Sequence, residues 1–435
     1  MKQPGNRVIR VGIIGFGTVG TALAGIVASH AVEIERRCGL KLVIGAVCCR
    51  GAIPPERVPA GAMAGGDWRA LAASPQLDVI VETVGGTGVA REIVAAALSA
   101  GKPVVTANKA LIAACGDELY ALAAACGVPL GIEAAVAGGV PVIRAISEGT
   151  AGDRLLSVHG ILNGTANFIL TQMEREAAEF EAALAEAQRL GYAELDPARD
   201  IDGLDARDKI AILARLAFGG SVAVQAIPTA GIRELRAIDL VYARQLRCSI
   251  RLVAAAEKVD GAISLSVRPW LVRRDSMLAR VEGINNAVFL EGEQTGTQMF
   301  YGRGAGGGAT AIAVLADLIE IANDLRAGTL AHKKMQGFAE DVPLPLCAVP
   351  PAVPWYLRLV INDRPGVLAQ IATLLAQRSI NIDFVLQQPG LDKHHLPFVI
   401  TVEPVSEPEM RRAAADLDAS HLLLAPVVLL RMATE

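Results

Sequence analysis

The stretch Arg7–Gly20 reads RVIRVGIIGFGTVG, and the fold of the chain turns on it. Apolar residues up to Ile14 make a strand, after which Gly15, Gly17 and Gly20 fall in GxGxxG spacing and lead into a helix predicted over Thr18–Ser29. Strand, glycine-rich turn and helix at the head of a chain form the first unit of a Rossmann-type sheet. Gly15 permits the tight turn, Gly17 lets backbone approach a pyrophosphate, and Gly20 allows the helix to pack closely. Phe16, Thr18 and Val19 complete a turn whose amides, at a helix N-terminus, suit phosphate. The competing view is a glycine-rich turn with no nucleotide.

The second strand, Lys41–Val47, ends in Cys48, Cys49 and Arg50 rather than in an acid able to hold a ribose 2′-hydroxyl. A guanidinium there pairs with a 2′-phosphate, which favours NADP over NAD. Two further strands follow, Leu77–Gly86 closing on Gly85 and Gly86, and Lys102–Ile112 closing on Thr106, Asn108 and Lys109. Ligands of doubly wound sheets bind at the carboxyl ends of strands, so Lys109 is expected to face the cofactor crevice.

At 435 residues the chain is too long for a single core and suggests two or three domains. Its hydrophobic content is 52% and its mean hydropathy +0.40, but the excess is largely alanine. Apolar runs break well before the ~18 residues a membrane span needs, so no membrane is expected. A strand follows almost directly on the N-terminus, so no secretory signal is expected. The net charge of −4 supplies no basic field for nucleic acid. Seven cysteines without metal-type spacing fit reduced thiols and a cytoplasmic location.

The densest chemistry lies in Gly191–Lys209, GYAELDPARDIDGLDARDK, where Glu194, Asp196, Asp200, Asp202, Asp205 and Asp208 put six carboxylates within fifteen positions. DARDKIAILARLAF continues at helical spacing, so Asp205 and Lys209 stand one turn apart on one face. A solvated acidic loop with an ordinary surface pair is the bland alternative.

Further segments carry a resemblance: IEAAVAGGVPVIRAI (Ile132–Ile146), GILNGTANFIL (Gly160–Leu170), the acid-rich segment, and YGRGAGGGATAIAVLADL (Tyr301–Leu318). With GFGTVG and TANKALI they occur in the order and spacing of homoserine dehydrogenase, over essentially the whole chain. The resemblance implies reversible, NAD(P)H-dependent reduction of L-aspartate 4-semialdehyde to L-homoserine in threonine and methionine biosynthesis. It gives Lys209 as proton donor, with Asp205 beside it and Lys109 as a second lysine near the nicotinamide. Glu194 is implied to contact the substrate ammonium, with Gly191, Tyr192 and Asp200 in the same acid-rich pocket. Gly164 and Thr165 match a cofactor-proximal turn, and Gly306 a glycine touching the nucleotide. Glu133, with the backbone carbonyls of Val136, Gly138 and Val140, matches a monovalent cation site for Na⁺ or K⁺, although a Glu beside a glycine-rich turn also caps backbone amides. Cys48 and Cys49 depart from the polar residues common at the ribose, which leaves NAD against NADP open, and Ala166 replaces a threonine of NGTTNF.

The chemistry is coherent without the family name. The cofactor supplies hydride, and the protein must hold the carbonyl and deliver a proton to the developing alkoxide. A lysine does so where desolvation and the positive nicotinamide offset the neighbouring carboxylate.

Residues 1–133 with 305–335 are expected to form the dinucleotide-binding domain. Residues 134–304 are expected to form an α+β substrate-binding and dimerisation domain with a mixed sheet that includes Ala287–Leu290 and Thr297–Tyr301. TQMEREAAEFEAALAEAQRL is read there as helix, and Ala309–Asn323 as the helix returning to the nucleotide domain. Pro343, Pro345, Pro350, Pro351 and Pro354 mark residues 336–354 as a stiff linker unable to make ladder hydrogen bonds. Residues 355–432 then run β-α-β-β-α-β, with Val367, Leu368, Ile371, Leu374 and Leu375 on one helix face. This resembles a ferredoxin-like ACT domain whose turn Asn362–Gly366 takes an amino-acid effector, most plausibly L-threonine, or else serves only for pairing. A homo-oligomer, dimer or tetramer, is implied. The rival functions are a reductase of another amino-acid semialdehyde and an inactive ACT-containing amino-acid sensor.

Overall fold

The computed structural model describes residues 8–330 and 342–433. Arg7, residues 331–335 of the expected nucleotide domain and residues 336–341 of the expected linker lie outside the described residues. The chain forms two compact units. One comprises Met1–Val158, Asp208–Ala226 and Asn285–Leu344; the other comprises His159–Arg207, Ile227–Ile284 and Pro345–Glu435.

The first unit contains a six-stranded sheet of β1 (Val8–Ile14), β2 (Lys41–Cys48), β3 (Met63–Gly65), β4 (Val79–Glu82), β5 (Val104–Thr106) and β6 (Leu130–Gly131) in the order β3-β2-β1-β4-β5-β6. Each pairing is parallel. This is the Rossmann order, with its topological switch point beside β1. Val11, Ile13, Val79, Val81 and Val105 are buried with Leu23 and Val27 of the helix Thr18–Ser29, as expected of parallel strands covered by helices. Val314, Leu318 and Ile321 of the helix Gly307–Ala327 complete that core. Gly307 allows the approach, because a Cβ there would meet Thr18 Cγ2 at 3.0 Å.

The chain passes from the first unit to the second within β7 (Leu155–Ile161). The remaining strands are β8 (Cys248–Val259), β9 (Ala262–Arg273), β10 (Asn285–Gly292), β11 (Gly296–Arg303), β12 (Val353–Ile361), β13 (Ile382–Leu386), β14 (Leu396–Val405) and β15 (Leu423–Met432). In the first unit β10 and β11 form an antiparallel hairpin. In the second, the order is β8-β9-β15-β12-β14-β13.

Strands β12 to β15, with helices Val367–Gln377 and Glu407–Ala419, make the expected βαββαβ module. Alternation along β12 sends Trp355, Leu357 and Leu359 into a core with Ile371, Leu375, Met410 and Leu417. Leu368, expected on that face, is 46% exposed: the buried stripe of its helix is the narrower series Val367, Ile371 and Leu375, four residues apart.

Two other expectations are corrected. The helix read through TQMEREAAEFEAALAEAQRL is broken into Gly164–Glu176 and Phe180–Arg189, with Ala177 left-handed at the break (φ 51°). The proline-rich stretch also makes ladder bonds. Leu344 donates its N–H to the Ser221 carbonyl and Ser221 to that of Val342; in the second unit Ile263 donates to Pro345 and Cys347 to Ile263. Proline removes only a donor, so a prolyl carbonyl still accepts and the residues between still donate.

The opposite register of β12 carries Tyr356 and Arg358 to a buried charge. Asp239, fully buried in the helix Ala237–Gln245, accepts from Tyr356 Oη at 2.8 Å, Arg358 Nη1 at 2.9 Å and the Arg236 amide at 2.9 Å. Burial pushes the Asp239 carboxyl up and Arg358 draws it back. Removing one partner of a buried ion pair strands the other charge, so Asp239→Ala is expected to destabilise the second unit by about 3–5 kcal/mol in urea unfolding. A loss below about 1 kcal/mol would show that water or a rearranged partner satisfies Arg358.

Candidate active site

At the carboxyl ends of β1, β2 and β4 lies a cleft of about 370 Å³ within the first unit. Gly15, Phe16, Gly17, Arg50 and Gly85, five of the residues expected from sequence to bind the cofactor, line it. Gly15 is held at φ 106° by its amide bond to the Cys48 carbonyl, and a Cβ there would sit 2.4 Å from the Thr83 carbonyl carbon. At Gly20 a Cβ would meet the Gly15 oxygen at 2.3 Å, so Gly20 acts beneath the turn rather than in the cleft. Thr18 and Val19 open the helix above it. Gly306 is the N-cap of Gly307–Ala327, also at φ 106°. The size and the strand-end position suit part of a dinucleotide, with the helix N-terminus available to phosphate.

Sequence reading did not single out Trp68 or Gly66, which line the same cleft, or Glu82. Glu82 is fully buried at the end of β4, where its carboxylate accepts from the amides of Val84 (2.7 Å) and Gly85 (3.2 Å) and from Thr106 Oγ1 (2.5 Å). It thereby shapes the Val84–Gly86 turn and fixes Thr106. Burial pushes its carboxyl up, against the pull of those hydrogen bonds. The available signal was a carboxylate closing an otherwise apolar strand. Asn108 caps the helix Lys109–Cys126 through the Leu111 amide and donates to the Gly86 carbonyl at 2.7 Å, which leaves Lys109 half-buried at the first helical position.

In the second unit the acid-rich segment divides. Asp202 is paired with Arg233 at the surface, and Asp196 accepts from the Ala198 amide at 3.2 Å. Asp200 and Asp205 instead converge on one group, Asn163 Nδ2, at 2.7 Å and 2.9 Å. Glu194 and Gly191 are exposed, and Gly191 takes φ 76° where a helix ends. Tyr192 packs edge-on against Phe168, with ring centroids 5.0 Å apart, and its carbonyl accepts from Thr165 Oγ1 at 2.7 Å. Gly164 starts the helix Gly164–Glu176, pressed so close to Ile284 that a Cβ would lie 2.5 Å from its carbonyl oxygen.

Asp205, Asp208 and Lys209 share the helix Leu204–Phe218, within which the chain crosses from the second unit back to the first. They are only 4%, 6% and 7% exposed. A solvated surface pair is therefore ruled out for Asp205 and Lys209.

The expected cation ligands are placed differently from one another. Glu133 uses both carboxylate oxygens on backbone amides, those of Ile143 and Arg144, each at 3.0 Å. Its own amide donates to Asp317, which also receives Arg144 Nη2 at 3.0 Å. Val136, Gly138 and Val140 are buried in the adjacent turn, where the Val140 carbonyl accepts from the Val142 amide. Among the described residues no group of three or more His, Cys, Asp or Glu could hold a metal ion.

Burial and the Asp317 charge raise the Glu133 carboxyl to about 7, against its two amides; burial raises Asp317 to about 6. Both folded values exceed the ordinary ones, so the native state binds more protons. The associated stability is complete at low pH and is lost as pH rises through about 6 to 7. The urea midpoint is expected to fall between about pH 5 and 7.5, and Asp317→Asn to flatten that fall. A midpoint that rises over this range in both proteins would contradict the assignment.

Comparison with known proteins completes the description. Residues 141–319 match the family model described as homoserine dehydrogenase, residues 15–133 that described as homoserine dehydrogenase, NAD binding domain, and residues 355–420 that of the ACT domain. A homoserine dehydrogenase of Pseudomonas aeruginosa is 40% identical over 431 residues, covering 98% of each chain. The crystal structure of a homoserine dehydrogenase from Thiobacillus denitrificans superposes with a TM-score of 0.90 at 36% identity, covering 98% of both chains. A hyperthermophilic archaeal homoserine dehydrogenase in complex with NADPH covers 73% of this chain and 98% of its own, with a TM-score of 0.61 at 29% identity. The chain therefore belongs to the homoserine dehydrogenase family and catalyses that family's NAD(P)-dependent, reversible reduction of L-aspartate 4-semialdehyde to L-homoserine.

Proposed function

We propose that Lys209 delivers the proton to the aldehyde oxygen in this reaction, with Asp205 one helical turn before it. The carrying observation is the burial of both on one helix, since a lysine and a carboxylate so far out of water need a reason to be there. A bound nicotinamide supplies the hydride. Asp205 steadies the ammonium, and desolvation opposes the carboxylate's pull and keeps the proton transferable. Glu194, Asp200, Gly191 and Tyr192 form the substrate pocket, whose negative charge suits an α-ammonium. Lys109 and Gly306 are assigned to the cofactor site of the first unit, and Gly164 to a cofactor-proximal turn by the family resemblance alone.

The cofactor reading is NADP. It is supported by Arg50 in the cleft, the lack of an acid at the end of β2, and the NADPH-bound archaeal relative. A monovalent cation, Na⁺ or K⁺, is assigned to the backbone carbonyls of Val136, Gly138 and Val140, an oxygen set of the type such ions take. Glu133 belongs to the same proposed set, and its two oxygens also hold the Ile143 and Arg144 amides that shape the turn. L-Threonine is the proposed effector at Asn362–Gly366, and calorimetric titration with threonine decides it. The chain is read as a cytoplasmic homo-oligomer, dimer or tetramer, to be checked by light scattering. The domain limits are proposed as residues 1–133 with 305–335, 134–304 and 355–432, testable by limited proteolysis.

Lys209→Ala is expected to lower kcat by roughly 10²–10⁴-fold while leaving NADPH binding, followed by fluorescence, within about twofold. Near-native turnover by that variant rules out the proton donor. Arg50→Ala is expected to raise the KM for NADPH by roughly tenfold and to leave that for NADH unchanged, since an exposed guanidinium–phosphate contact is worth about 1.4 kcal/mol at that ratio. Equal effects on both cofactors would remove Arg50 from the 2′-phosphate.

A further inference from the structure

We propose that Asn163 is a positioning residue for this reaction: it holds Asp200 and Asp205 together and sets the orientation of Asp205 ahead of Lys209. The inference rests on the roles proposed above for Asp205 and Lys209.

Asn163 is 4% exposed, just before the helix Gly164–Glu176, and its extended backbone (φ −124°, ψ 112°) is that of a helix N-cap. Its Oδ1 accepts from the Ala166 amide at 2.8 Å, the ordinary work of a capping asparagine. That bond fixes the plane of the side-chain amide. With Oδ1 tied to the backbone, Nδ2 donates its two hydrogens to Asp200 Oδ1, 2.7 Å from the nitrogen, and to Asp205 Oδ2, 2.9 Å from it. An asparagine has two donors, so both are used.

The consequence is electrostatic as well as geometric. Two carboxylates brought this close repel, and each would tend to take up a proton. A lysine or arginine between them would relieve the repulsion by cancelling their charge. A neutral amide holds both through hydrogen bonds that favour the ionised form, and leaves their negative charge available to an ammonium.

The anchor itself is rigid. Gly164 has no room for a side chain against Ile284, and Thr165 bonds the Tyr192 carbonyl, so Asn163 and Thr165 tie to Asp200, Asp205 and the 191–192 turn a helix start that Gly164 seats on Ile284.

Capping alone needs only a side-chain oxygen, whereas positioning needs the Nδ2 donors, and this difference makes the test. Asn163→Ser and Asn163→Thr each keep a capping oxygen, remove the paired donors and add no charge beside the two acids. Both are expected to fold, with a lower melting temperature because the bonds to Asp200 and Asp205 are lost, to keep NADPH affinity within about twofold, and to lower kcat by roughly tenfold or more. Placed on Asp205→Asn, the same substitutions are expected to cost less than about a further twofold, because the residue through which Asn163 acts is already changed. Native kcat in the Ser variant, or losses that multiply independently in the double variants, overturns the proposal. Should the Ser variant fail to fold, the Thr variant decides by the same two criteria. The proton-donor reading fails separately, on the activity of Lys209→Ala, so the two failures are distinguishable.

Discussion

Charge held out of water on the helix Leu204–Phe218 is the constraint on which the structure around that helix depends. Desolvating a carboxylate or an ammonium costs several kcal/mol per ion even after relaxation, and Asp205, Asp208 and Lys209 are all nearly inaccessible within five residues. Hydrogen bonds and mutual attraction must offset that cost. Asn163 supplies one of those bonds to Asp205, and the same helix buries Arg215 against Asp117 further along. A surface helix of this composition would need none of this. The arrangement makes sense where a charged polar substrate and a transferable proton are to meet with little water between them.

The nucleotide half answers to a different constraint, the close approach of backbone to backbone. Gly15 and Gly20 occupy positions where a Cβ would fall 2.4 Å and 2.3 Å from main-chain atoms. Glu82 then extends order from the switch point to the neighbouring loop, since one buried carboxylate joins the Val84–Gly86 turn to Thr106 on β5. The cleft is thus shaped by groups beneath it as much as by those that line it. In the second unit another buried carboxylate, Asp239, plays the corresponding part by joining its own helix, Ala237–Gln245, to β12 of the βαββαβ module.

Local signals explain what could be read from sequence. The helix Thr18–Ser29 falls where the glycine spacing and apolar period place it, and the βαββαβ order follows from the alternation of periods in residues 353–432. Strand ends are less legible. Leu77–Gly86 contains only Val79–Glu82 as strand, because Thr83 turns to bond Gly15 and Glu82 captures the amides after it. Likewise Lys102–Ile112 yields only Val104–Thr106, because Asn108 caps a helix that begins at Lys109. Asn163 was invisible as an anchor for the acids, since its partners lie 37 and 42 residues away and no local pattern reports them. Resemblance named Lys209, Asp205 and Glu194; burial then separates the first two, which are inaccessible, from Glu194, which faces solvent.

If an amine at position 209 hands a proton to the aldehyde oxygen, an amine from solution can stand in for it. The most direct measurement is chemical rescue of the Lys209→Ala enzyme by small primary amines across a range of basicity. Saturable recovery of aldehyde reduction is expected, with a rate that follows the acidity of the added ammonium and no recovery from a quaternary ammonium of similar size. Recovery that is independent of amine acidity, or equal with the quaternary ion, would contradict it.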